Sequence, residues 1–113
     1  MPVSPSAADT MRNRIAAFLA QEERAMFELL RALVLQPSPS RHKPGVDAVG
    51  ALLAESLRPA GMRPEKVPQI EFGDHLIFRS PAACAGRPAI LLFGHMDTVF
   101  PLDVPLTLDR QGN

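Results

Sequence analysis

The residues best suited to chemistry stand together in Gly94-His95-Met96-Asp97-Thr98-Val99-Phe100-Pro101. Along an extended backbone side chains alternate with a period of two, so His95 and Asp97 point to the same side. A carboxylate beside an imidazole accepts its ring N–H, which fixes the tautomer and frees the other nitrogen to bind a metal. Gly94 is expected to let the backbone pass close to a neighbour. A competing reading makes Asp97 and Thr98 turn or capping residues, because one His-x-Asp pair is common by chance.

The pair needs a rigid support, and the chain offers one just upstream. Ala89-Ile90-Leu91-Leu92-Phe93 is an unbroken apolar run between Pro88 and Gly94. Such a run predicts a strand buried on both faces of a mostly parallel sheet, with helices on either side. In open sheets of that kind, ligands bind beyond the carboxyl ends of the strands, where His95 and Asp97 lie.

Farther upstream, Met11, Ile15, Phe18, Leu19, Met26, Leu29, Leu30 and Leu33 recur at helical spacing. They predict a long amphipathic helix with a core-facing stripe, started by a Ser6–Asp9 capping box and ended at Gln36-Pro37. Residues 37–44 form a loop of proline, serine and basic residues that contains His42, expected to be solvated. From Gly45, a second helix is expected, with Val46, Val49, Leu52, Leu53 and Leu57 on one face and Asp47 in its first turn. Pro59 and Gly61 end it. Met62 to Val67 is a weak strand candidate broken by Pro64, and Leu76 to Arg79 is a better one after the Gly73-Asp74 turn. His75 is read as a surface or structural residue. Residues 81–87 form a small-residue loop in which Cys84 is a small hydrophobe. Leu106-Thr107-Leu108 reads as a last strand and Asp109 to Asn113 as a hairpin turn.

Composition narrows the classes. Twelve basic and twelve acidic side chains give a net charge of zero, which argues against nucleic acid or an anionic membrane surface as partner. A single cysteine rules out an intrachain disulfide and suits a reducing, cytoplasmic setting. The first residues lack the pattern of a secretory signal, and no apolar run is long enough to span a bilayer.

The string from Leu91 to Pro101 resembles the first signature of the zinc-dependent family that holds glutamate carboxypeptidase, aminoacylase and acetylornithine deacetylase. The upstream order of helix, Pro/Ser loop, Gly-Val-Asp helix, two short strands and apolar strand resembles that family too, so the similarity runs roughly from Phe27 to Leu108. It implies an α/β fold, the N-terminal part of a three-layer α/β/α catalytic domain. It implies His95 as a ligand of one of two zinc ions and Asp97 as the catalytic aspartate that orients it. The implied reaction is hydrolysis of an amide bond next to a free carboxylate, in a small peptide or an N-acyl amino acid, with a glutamate as general base.

The bridging aspartate, the paired glutamates and the distal histidine that the resemblance calls for are not among these 113 residues. Residues 1–113 are therefore expected to be a partial catalytic domain, inactive alone, without the lid or dimerisation domain; a homodimer is expected only of the complete enzyme. The alternative is a small non-catalytic α/β protein that acts by binding.

Overall fold

A computed structural model describes residues 6–112. The chain divides into two compact units, Met1–Leu30 and Arg31–Asn113.

The described part of the first unit is the bulk of helix α1, Ala7–Leu35. Its start follows the expected capping box. Ser6 Oγ accepts from the Asp9 N–H at 3.1 Å, and Asp9 Oδ2 accepts from the Ser6 N–H at 3.3 Å. Two of the helix's unpaired N-terminal donors are thus satisfied reciprocally. The core-facing role expected of the apolar stripe is not what the structure shows. No α1 residue is buried, and Met11, Ile15, Phe18, Leu19, Met26 and Leu30 are all exposed. Among the described residues of this unit, the helix is the sole element.

The second unit is built on helix α2, Lys43–Leu57. The helix begins two residues before Gly45, with Pro44 in its first turn, where a missing N–H costs nothing. Lys43 and Pro44 therefore belong to the helix and not to the loop. Asp47 lies beyond the first turn, so the expected interaction with the helix dipole gives way to a different role. Its carboxylate pairs with Lys43 Nζ at 2.9 Å and accepts the Asp74 N–H at 2.8 Å. A 3₁₀ turn, Arg58–Ala60, follows α2 and closes at Gly61 (φ 74°), a left-handed position that glycine adopts without strain.

Strands β1, Pro64–Val67, and β2, His75–Phe78, form a two-stranded antiparallel sheet with Pro64 opposite Phe78 and Val67 opposite His75. Pro64 opens β1 instead of breaking it, as suits a residue with no N–H to give the ladder. Gly73 lies against α2 so closely that an added Cβ would stand 2.2 Å from Val46 Cγ1. The small core sits here, with Val46 and Val49 buried. Lys43 Nζ ties the same helix to Asp74 at 2.5 Å, and Asp74 Oδ1 also accepts the Gln69 N–H at 2.9 Å. These contacts hold the Asp47 and Asp74 carboxyls below their ordinary range, with Lys43 the leading cause for each. Hydrogen bonds to Asp74 and then Asp47 raise Lys43.

Residues 81–87 are not wholly loop. Pro81–Cys84 form a short helix, α3, whose N-cap Ser80 accepts the Ala83 N–H through Oγ at 3.2 Å. Cys84 is a free, exposed thiol. The largest departure is at Ala89 to Phe93, which form no strand. Ile90, Leu91, Leu92 and Phe93 are 85–94% exposed. A strand buried on both faces needs a ladder on each side and a layer on each face. The sheet among the described residues, β1–β2, supplies neither to this run. Leu106 to Leu108 likewise form no strand, and no hairpin follows; Asn113, the last residue of that expected turn, lies outside the described residues. No helix among the described residues is long and apolar enough to cross a membrane.

Candidate functional site

The His95–Asp97 segment is held by the loop between α1 and α2. Thr98 donates its N–H to the Ser38 carbonyl at 2.8 Å, and Pro39 and Thr98 form an isolated parallel bridge. The loop is itself fixed at its far end. The His42 N–H donates to the Pro39 carbonyl at 2.8 Å, and the Gly45 N–H donates to the His42 carbonyl at 3.0 Å. Glycine at position 45 is required by contact: a Cβ there would lie 2.1 Å from the Pro37 carbonyl oxygen. Ser38 is almost wholly buried at this junction, and its Oγ and Thr98 Oγ1 are buried without hydrogen-bond partners.

His95 Nδ1 lies 3.1 Å from Asp97 Oδ1 and 2.9 Å from the Asp97 carbonyl oxygen. Both partners are acceptors, so the contacts favour the proton on Nδ1, the tautomer of the neutral ring in which Nε2 keeps a free lone pair. The His95 side chain is 82% exposed, so that lone pair is accessible. The second carboxylate oxygen is also engaged: Ser40 Oγ donates to Asp97 Oδ2. Asp97 is thus gripped from both oxygens, and its side chain is about one-third exposed, at 38%. The Ser40 hydroxyl is the main reason its carboxyl lies below the ordinary range; desolvation opposes this, and the His95 contact adds to it.

Alternation places Met96 on the opposite side. A Cβ added at Gly50 would stand 3.4 Å from Met96 Sδ and 2.8 Å from Leu76 Cδ1, so Met96 faces α2 and β2. It lines a groove of about 630 Å³ together with Asp47, Gly50, Arg58, Lys66 and Leu76. Gly94 does not have the role expected of it, since an added Cβ there would meet nothing within 4 Å.

The structure therefore brings together His95, Asp97 and one residue that sequence reasoning passed over, Ser40. Its only sequence signal was membership of a serine-rich loop. His42 instead caps α2 through its backbone, and His75 is exposed in β2. Among the described residues, no three or more His, Cys, Asp or Glu side chains gather as a metal-binding group. The donors at this site fit one imidazole ligand with an orienting carboxylate, fewer than the four protein ligands of a closed zinc site or the three of a catalytic one. No family model matches the chain, and neither does any curated protein or solved structure.

Proposed function

We propose that this segment contributes one zinc ligand, His95, and its orienting carboxylate, Asp97, to a zinc-dependent peptidase or deacylase of the glutamate carboxypeptidase type. The supporting observation is the contact of His95 Nδ1 with Asp97 Oδ1 at 3.1 Å, which leaves Nε2 bare and exposed. The fold we propose for the complete domain is the three-layer α/β/α sandwich, and the substrates are small peptides or N-acyl amino acids with a free carboxylate. When bound, zinc supplies Lewis-acid polarisation of the amide carbonyl. The part of this chain is to present one unprotonated nitrogen and to hold it still. Asp97 keeps the proton on Nδ1 and stabilises positive charge that develops on the ring. The exposed free thiol of Cys84 fits a cytoplasmic, reducing setting. The exposed apolar run Ile90–Phe93 favours a second reading, a non-catalytic α/β protein that works by binding.

Zinc titration separates the two. Calorimetry is expected to show binding no tighter than the micromolar range, lost in His95→Ala. Asp97→Asn removes the charge and turns an N–H₂ toward the ring, which favours the wrong tautomer. Its zinc affinity is expected to fall about 10–100-fold, as for other lost partners of a ligating histidine. Its melting temperature is expected to change little, because asparagine keeps the shape and an oxygen that can accept from the Ser40 hydroxyl. Zinc binding indifferent to both substitutions removes the metal reading.

A further inference from the structure

We propose that Ser40 is a positioning residue of this site: its hydroxyl holds the Asp97 carboxylate, and through it the His95 ring, in the tautomer that leaves Nε2 free. The proposal deepens the metal-ligand reading and rests on it for its purpose, though not for its geometry. Two features set the Ser40 hydroxyl apart from ordinary loop packing.

The first is division of labour between the carboxylate oxygens. Oδ1 faces His95 Nδ1 and Oδ2 accepts from Ser40 Oγ. A carboxylate held at one oxygen alone rotates about its Cβ–Cγ bond, a broad and soft torsion. Held at both oxygens, it keeps Oδ1 on the imidazole.

The second is redundancy in the backbone. The loop and the His95 segment are already joined by the Thr98 N–H to the Ser38 carbonyl and by the Pro39–Thr98 bridge. The Ser40 hydroxyl is not needed to tie the segments together. It reaches across 57 positions of sequence to the one carboxylate that touches the histidine. The ends of the loop are anchored by the His42 N–H on the Pro39 carbonyl and by the contact of Gly45 with Pro37, so Ser40 is delivered by a braced backbone.

The test reads the tautomer directly, in the metal-free 113-residue chain, by two-bond proton–nitrogen correlation spectra of ¹⁵N-labelled His95. Wild type is expected to show Nδ1 protonated and Nε2 bare. Ser40→Ala is expected to shift the ratio toward Nε2–H by about threefold to tenfold, the scale of one lost charge-assisted hydrogen bond felt at one remove. Ser40→Thr, which retains the hydroxyl, is expected to restore the wild-type ratio. Should alanine fail to fold, Ser40→Cys fills the site with a weak donor and carries the same expectation. An unchanged ratio in the alanine or cysteine variant overturns the proposal. So does an equal shift in the threonine variant, which makes the effect one of packing. Failure of the metal reading is distinct: zinc binding by wild type that ignores His95→Ala removes that reading and leaves the tautomer result standing.

Discussion

The segment from Ile90 to Thr98 has two halves that behave differently. From Gly94 to Thr98 the chain is pinned: a backbone bond and a bridge to residues 38 and 39, a hydroxyl on Asp97, and Met96 set toward α2 and β2. From Ile90 to Phe93, immediately before it, four large apolar side chains are bare and no ladder forms. The half that composition marks as core is the exposed one, and the half marked for chemistry is the anchored one. Hydrophobic burial is non-directional and needs a complementary surface of comparable area. A polar latch needs only a few well-aimed donors and acceptors, and Ser38, Ser40 and Thr98 supply them locally.

The largest loss is expected at Gly45. The site half depends on a loop braced against the start of α2, and the brace admits no side chain there. Gly45→Ala would place a Cβ 2.1 Å from a backbone oxygen and 2.7 Å from His42 Cδ2. A backbone oxygen cannot swing aside as a flexible side chain can, so the loop must move. We expect a loss of about 1–3 kcal/mol, the usual cost of overpacking. The His95 tautomer should randomise in parallel. Thermal melting and the same nitrogen spectra check both; a variant with wild-type stability and tautomer would show that the loop is not braced through this contact.

Much of the local structure was legible in sequence, for physical reasons that stop at the contacts. The spacing of Val46 and Val49 placed the buried face of α2, and Gly61 marked the left-handed end of the turn after it. Ser6 and Asp9 announced their reciprocal cap, because that motif is encoded within four residues. Period-two alternation put His95 and Asp97 together. Ser40 was not legible, because nothing in a Pro-Ser loop says which carboxylate, 57 residues away, its hydroxyl meets. Ile90–Phe93 misled in the other direction. A hydrophobic run states what would be gained on burial, not which surface covers it. The α1 stripe misled in the same way: Met11 to Leu30 has the period of a packed helix and no buried residue.

pH perturbs the second unit more gently. Helix α2 is joined to the segment leading into β2 by the Lys43–Asp47–Asp74 cluster. Asp47 and Asp74 have folded-state pKa values below the ordinary carboxylate range. Their contribution is therefore present above that range and is lost as pH falls through the depressed values, below about pH 4. Lys43 is raised, so its contribution is full below the ordinary lysine range and is lost as pH climbs through the raised value. Stability should form a plateau across neutral pH with a fall at each end. Lys43→Met should flatten the alkaline fall and shrink the acid one. Melting temperatures across pH check this, and identical profiles for variant and wild type would remove the cluster from the account.

The smallest effect is expected in the bare half, and it tests the contrast most directly. Leu92 is 88% exposed, with Leu91 and Phe93 beside it at 85% and 94%. A side chain already in water loses almost no transfer free energy when replaced by a polar one. Substitutions at such sites usually stay within about 0.5 kcal/mol. Leu92→Lys should therefore leave the melting temperature of the dilute chain close to wild type. The lysine should instead lower any tendency to associate, since contiguous exposed apolar surface promotes it. Val49, buried in α2, is the control: Val49→Ala removes two buried methyl groups and should cost about 1–3 kcal/mol. Melting curves at several concentrations distinguish the outcomes. A loss at Leu92 as large as that at Val49, independent of concentration, would mean that the run packs within its own chain, and the contrast between the two halves would fall. A loss at Leu92 that grows with concentration would assign the covering surface to a second copy, and the bare half would then be an interface.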